Sequence, residues 1–329
     1  MNEEQFEQSK KYYDENYDIL VRYPFLHKTK IQIPENLSRE QRLCRFCGKT
    51  SPETSFRNKA HAVPEFLGNR TIILLNECDE CNRSFASWYE DHLGKWSLFA
   101  RSMTQTLSKK GRPTYKNESG TFSARSNGQG LELRIDDKEL QQRLATAEAP
   151  FSFGLPMKVE SQPFIKFNAA KAILKAACSV CPDSELKDIQ PVIEMLMKRA
   201  QMTLSCFPVL SRFTPGPIDD SVSEIVILKR KTDLPIPTYW CIIQYRNHRL
   251  QTFLPFVRSD QSWMKKEENV SLKLIHYPSR FGPNWEYGLE TGKYEDWSCI
   301  ESETISYQAS IQLNQFVKMP PADSSDSST

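Results

Sequence analysis

Two CxxC pairs, Cys44 with Cys47 and Cys78 with Cys81, lie about thirty residues apart and constrain this chain more than any other feature. A tight CxxC turn points both sulfurs the same way, so two such knuckles can converge as four thiolates on one Zn²⁺ at about 2.3 Å. Gly48 directly follows Cys47 and suits such a turn, because glycine tolerates backbone angles closed to other residues. With four sulfurs bound no position remains for water, so this zinc is expected to staple the fold and not to catalyse. The other cysteines, Cys178, Cys181, Cys206, Cys241 and Cys299, are scattered. An odd total of nine, behind an N-terminus that lacks the apolar core of an export signal, argues against a disulfide framework. Cys178 and Cys181 make a third CxxC, but no second pair lies near them, and a buried, inert role is expected.

The chain has 329 residues, enough for roughly two domains. No apolar run approaches the ~18 residues of a transmembrane helix, and a cytoplasmic location is expected. The formal charge is only +2, so the field of the whole chain gives no case for nucleic-acid binding, which would need a local basic patch.

Four stretches and a tail follow from the patterning. Residues 1–38 are polar and partly helical, with an imperfect apolar stripe of Phe6, Tyr12, Tyr13, Tyr17, Ile19 and Leu20 that Pro34 closes. Residues 39–100 hold the cysteine pairs and the chemistry. Residues 101–150 connect, with a basic turn at Lys109 to Pro113 and a hairpin expected to turn near Asn127 and Gly128. Residues 151–317 read as an α+β domain. FIKFNAAKAILKAACSV predicts a helix, and a second helix is expected from Ile189 to Leu204. Strands are expected at SEIVILKRK, PTYWCIIQY, RLQTFLPFV and VSLKLIHYP, with Trp240, Tyr245, Phe253 and Phe256 in the sheet core. Residues 318–329 are expected to be a disordered tail.

Between the knuckles, SFRNKAHAVPEFLGNRTIILLNECDECN predicts a strand reaching His61, a turn from Pro64 to Gly68, a second strand rich in Ile and Leu, and a knuckle ending at Asn82. The following RSFASWYEDHLGKWSLFA places Phe85, Trp88, Tyr89, His92, Leu93 and Trp96 on one face of a helix.

The pattern CRFCGK, AHAVPEFLGN, ECDECN and YEDHLGKW resembles the HNH endonuclease superfamily in its cysteine-rich bacterial branch, over roughly residues 44 to 96. The resemblance implies a ββα-metal unit that cleaves phosphodiester bonds, within an α+β chain whose larger mixed domain follows. It implies that His61 is the general base, a task suited to an imidazole with an ordinary pKa near 6.5. It implies that Asn82 holds the histidine loop through backbone hydrogen bonds, and that the third position falls at His92. A Mg²⁺ or similar divalent ion would stabilise the phosphate and the leaving oxygen.

One departure stands out. Many members carry an acidic or histidine ligand immediately before the base, where this chain has Ala60. His92 and then Asp91 are the preferred replacements, with Glu90 and Glu65 as further options. Arg45, Lys49, Arg57, Lys59 and Arg70 would contact phosphates. Set against these roles are plainer ones: His61 as a structural histidine, Asn82 as a helix cap, His92 as a packed core residue, and Glu90 and Asp91 as a solvated face. The leading expectation is a DNA nuclease, of the kind found in bacterial defence, whose C-terminal domain supplies targeting or control and docks a second copy or a regulatory partner. The rivals are a non-catalytic zinc-stapled module that binds nucleic acid or protein, with Ala60 marking a lost metal site, and a structural zinc adaptor.

Overall fold

The computed structural model describes residues 2–26, 29–35, 37–108, 111–117, 119–126, 130–136, 138, 142, 153–198, 206–264 and 272–313. Its first part holds α1 (Glu3–Asn16), β1 (Tyr17–Pro24), β2 (Ile31–Ile33), β3 (Ala60–His61), β4 (Ile72–Leu74), α2 (Asp79–Phe85) and α3 (Asp91–Met103), with one π-helical turn, Ala86–Glu90, joining the last two. A small antiparallel sheet follows: β5 (Tyr115–Lys116), β6 (Phe122–Ser126) and β7 (Leu131–Ile135). The larger domain contains β8 (Phe153–Glu160), β9 (Phe164–Ile165), α4 (Lys166–Val180), α5 (Leu186–Met197), β10 (Pro208–Phe213), β11 (Glu224–Arg230), β12 (Tyr239–Tyr245), β13 (His248–Phe253), β14 (Thr291–Asp296), β15 (Ser302–Glu303) and β16 (Ser306–Leu313). This is the mixed α+β arrangement expected, with the knuckle module first. No helix of the described residues is long and apolar enough to cross a membrane.

A six-stranded antiparallel sheet, in the order β1-β11-β12-β13-β10-β14, organises the larger domain. Strand alternation sorts its side chains. Ile225, Ile227, Tyr239, Cys241, Ile243 and Tyr245 join the core around α4, while Val226, Leu228, Trp240 and Ile242 pack with Tyr13 and Tyr17 beneath α1. β12 is therefore buried along its whole length. The first segment, expected to be polar and partly helical, is helical to Asn16. Its apolar stripe continues as β1, which pairs with β11.

Helix α4 is buried on nearly every side, from Phe167 through Ala169, Ala170, Ala172, Ala176 and Ala177 to Val180. Small side chains let neighbours approach it closely from all directions, as a helix apolar all round requires. The core that includes Cys44, Cys78, Cys81, Phe85 and Tyr89 runs without a break through α4 to the sheet.

Two expectations shift, and others fall outside the described residues. VSLKLIHYP forms no strand over the described residues 272–278, because side chains take its backbone groups instead. Tyr13 and Gln251 donate to the Ile275 carbonyl at 2.7 and 3.0 Å, Arg249 donates to Tyr277 O at 2.9 Å, and Gln251 accepts from Tyr277 N–H at 2.8 Å. The second helix begins earlier than expected, at Leu186, and residues 199–205 lie outside the described ones. β6 and β7 pair up to Ser126 and Leu131, but the expected turn at Asn127 and Gly128 lies outside the described residues, as do Lys109, Lys110 and the tail.

Close packing around α4 makes overfilling costly. Ala176→Leu is expected to lower the unfolding free energy by about 1–3 kcal/mol. An unchanged urea midpoint and slope would mean that this face of α4 has room.

Candidate active site

The four knuckle sulfurs lie within 4.8 Å of one another, with Cys44 to Cys81 and Cys47 to Cys78 each at 3.8 Å. A tetrahedron with Zn–S bonds of about 2.3 Å has edges of about 3.8 Å, so the set fits zinc. The first knuckle closes through Gly48 N–H to Cys44 O at 2.9 Å and Cys44 N–H to Lys49 O at 2.8 Å, with Gly48 at φ +69°. Backbone N–H groups of Cys78 and Cys81 point at Cys44 Sγ and Cys78 Sγ, at 3.5 and 3.4 Å. Among the described residues these cysteines are the one group of three or more such ligands close enough to share an ion.

Arg45 docks the first knuckle onto the larger domain. Its buried guanidinium donates to Cys178 O at 2.9 Å and Cys181 O at 2.6 Å and meets Asp183 at 2.5 Å. It is thus unavailable to phosphates. The third CxxC serves through its carbonyls, and burial pushes its thiols up, that of Cys181 to about 12, so both are inert.

The second feature is a cleft of about 700 Å³ between the histidine loop and the helix that follows the knuckle. His61, Glu65, Asn82 and Glu90 line it, together with Lys30, Arg57, Asn58, Lys59, Arg70, Ile73 and Ala86. His61 ends β3, and its Nε2 stands 3.3 Å from Glu65 Oε1, carried on the 3₁₀ turn Glu65–Leu67. Gly68 closes that turn at φ +97°, where most side chains would be strained. Asn82, Ala86 and Glu90 recur every four residues along α2 and the π turn and so face the cleft together. The basic loop before β3 is fixed by Asp79, which accepts from Ser55 Oγ at 2.6 Å, Asn58 N–H at 2.8 Å and Arg57 N–H at 3.0 Å. Burial works against ionising Asp79, yet the hydrogen bonds outweigh it and hold the carboxyl below its ordinary value.

Residues 44–97 match the family model described as HNH endonuclease. This stretch is an HNH module. No curated protein and no solved structure matches the chain.

The structure places the expected residues differently at four points. The side chain hydrogen-bonded to the backbone beyond His61 is that of Asn69, where Asn82 was expected. Its buried side chain donates to Val63 O and Ile72 O at 2.8 and 3.1 Å and accepts from the N–H groups of Thr71 and Ile72 at 3.2 and 2.9 Å. Asn82 instead presents itself to the cleft. His92 does not line the cleft: two residues beyond Glu90 it lies about 200° round the helix. There its Nδ1 accepts from Ile165 N–H at 3.0 Å, and burial, with help from Lys95, lowers its pKa. Asp91 pairs with Lys95 at 2.7 Å, away from the cleft. Of the five cations expected near phosphate, Arg57, Lys59 and Arg70 line the cleft, Arg45 is buried, and Lys49 meets Glu80 at 3.7 Å. Lys30 lines it too and went unnoticed, because it is far from the motif in sequence and arrives just ahead of β2, which pairs in parallel with β4.

Behind the cleft, the buried Lys175 ammonium lies 3.0 Å from Glu77 and 3.5 Å from Glu90 and donates to His61 O at 3.0 Å. Burial pushes the Glu77 carboxyl up to about 7 although the ammonium pulls it down. Burial works against the charge on Lys175, but the two carboxylates outweigh it and raise its pKa. A larger hollow, about 830 Å³, lies beside α1; the ionic pair in its wall, Arg212 with Glu290 at 3.3 Å, is already matched.

The two asparagines should separate cleanly. Asn69→Ala leaves buried backbone groups without partners and is expected to cost about 1–3 kcal/mol in stability. Asn82→Ala, at the cleft surface, is expected to stay within about 0.5 kcal/mol of the parent. Equal losses in chemical denaturation would return the loop-holding role to Asn82.

Proposed function

We propose that the chain is a metal-dependent endonuclease that hydrolyses phosphodiester bonds in DNA, with His61 as general base. The observation that carries this reading is the His61–Glu65 pair, 3.3 Å apart, in the same cleft as Asn82 and Glu90 and ringed by Lys30, Arg57, Lys59 and Arg70. The four cations supply the local basic patch that the net charge of +2 does not. They hold backbone phosphates, so affinity for duplex DNA should fall with salt at a slope of about −3.6 on a double-logarithmic plot if all four neutralise one phosphate each.

Glu65, Glu90 and the Asn82 amide would hold the divalent ion, which leaves the His61 imidazole free for the proton. Hard oxygen donors with one or two carboxylates suit Mg²⁺, which keeps part of its water shell. When bound, such an ion stabilises the charge that collects on the phosphate and the leaving oxygen. Ala60 is buried and offers no ligand, which leaves the carboxylates of the cleft to supply what that position lacks.

His61 takes a proton from the attacking water, whose oxygen bonds to phosphorus as the bond to the leaving oxygen breaks. Glu65 orients the ring and stabilises the imidazolium that forms. The leaving oxygen takes its proton from solvent. The larger domain, joined to the module by a continuous core, would govern when or where cutting occurs, as in a defence effector working in the cytoplasm. The buried Ala60 also favours a second reading, a module that binds nucleic acid and has lost its chemistry.

Plasmid cleavage with Mg²⁺, Mn²⁺ or Ni²⁺ separates the two. Wild type is expected to cut, and His61→Ala to lose about 100-fold or more in rate with DNA affinity nearly intact. Salt-dependent binding with no cleavage under any of the three ions would favour the binding module, and full activity in His61→Ala would remove His61 from the chemistry.

A further inference from the structure

Lys175 lies outside the segment that matches the family, on α4 of the larger domain, and its side chain is fully buried. A buried ammonium requires acceptors for its three N–H groups. Three stand within reach: Glu77 Oε2 at 3.0 Å, the His61 carbonyl at 3.0 Å and Glu90 Oε1 at 3.5 Å. Glu77 is itself wholly buried and forms the closer of the two ion pairs. The other two acceptors belong to residues that line the cleft, one on each of its walls.

We propose that Lys175 is a positioning residue for the nuclease centre. From outside the HNH module it fixes the backbone of His61 and the carboxylate of Glu90 relative to each other. The role rests on the nuclease reading of the cleft. Because both the β3 end and the π-turn end are held by one nitrogen, their spacing follows α4, and the module's cleft is complete only when the larger domain is docked. Lys171, one turn earlier on the same helix, is also buried but stands over the rings of Phe167 and Tyr89, at 4.5 and 5.4 Å. It provides a matched control.

The test uses the full-length, zinc-loaded chain. Removing Lys175 alone would strand Glu77, so the double variant E77Q/K175M takes out both charges together. K175R is the second variant; it keeps the charge but replaces a tetrahedral donor with a planar fork. Both are expected to lower kcat for duplex cleavage by about 10–100-fold, with KM for DNA within about two-fold, as for other groups that orient ligands from behind. Both should also weaken Mn²⁺ binding, read by electron paramagnetic resonance, while K171M leaves kcat and Mn²⁺ affinity at the parent values.

Wild-type Mn²⁺ affinity in both variants, or no Mn²⁺ binding by the wild type, overturns the role of Lys175. Wild-type kcat in both variants does the same. If the wild type binds Mn²⁺ but cuts nothing, the nuclease reading fails separately, and the Mn²⁺ titration of the variants still decides the positioning role.

Discussion

Strands of two and three residues cannot hold an imidazole in place by pairing alone. β3 is only Ala60–His61 and β4 only Ile72–Leu74, and an isolated hairpin of that size would not persist in water. The four-cysteine site supplies the missing constraint. It clamps the chain before β3 to the start of α2, so that loop, strands and helix keep one spacing. Asp79, next to Cys78, extends the clamp to the basic loop, and Asn69 extends it to the turn after His61. The cleft is the gap left between these fixed pieces.

The larger domain is not merely appended to that clamp. Arg45 carries the first knuckle onto the end of α4, and Lys175 reaches from the middle of α4 to the back of the cleft. Burying these two charges against one helix is costly unless each is matched, and breaking a matched buried pair by removing one partner costs about 3–5 kcal/mol. α4 therefore has little freedom to slide relative to the module. Its alanine-rich surface has the same effect, since close packing on every side leaves no room for a shift.

Much of the module was legible in the sequence because its signals are local. CxxC spacing fixes a ligand set, Pro64 and Gly68 mark a turn, and His61, Asn82 and Glu90 sit close to these marks. Where the placement differs from expectation, the cause is geometry that spacing does not encode. The π turn at Ala86–Glu90 sets which helix positions face the cleft, and a regular helical reading favoured His92 and Asp91 over Glu90. Asn69 was hidden because its four hydrogen bonds all go to backbone groups, which leave no trace in residue type. In the larger domain the buried strands β11 and β12 were evident from their apolar runs. The segment 272–278 alternated like a strand but is held by Tyr13, Gln251 and Arg249, partners distant in sequence. Lys175 inside an apolar helix gave no hint of its contacts, because Glu77, Glu90 and His61 come from about a hundred residues earlier in the chain.

The central claim is that the zinc knuckles, the cleft and α4 form one cooperative unit. Hydrogen exchange on the full-length chain, with zinc bound and after chelation, addresses it directly. Zinc removal is expected to lower protection together in β3, in β4, in α2 and in the α4 residues around Lys175, with a common opening free energy. Loss of protection confined to the knuckle loops, with β3 and α4 exchanging as before, would contradict the account.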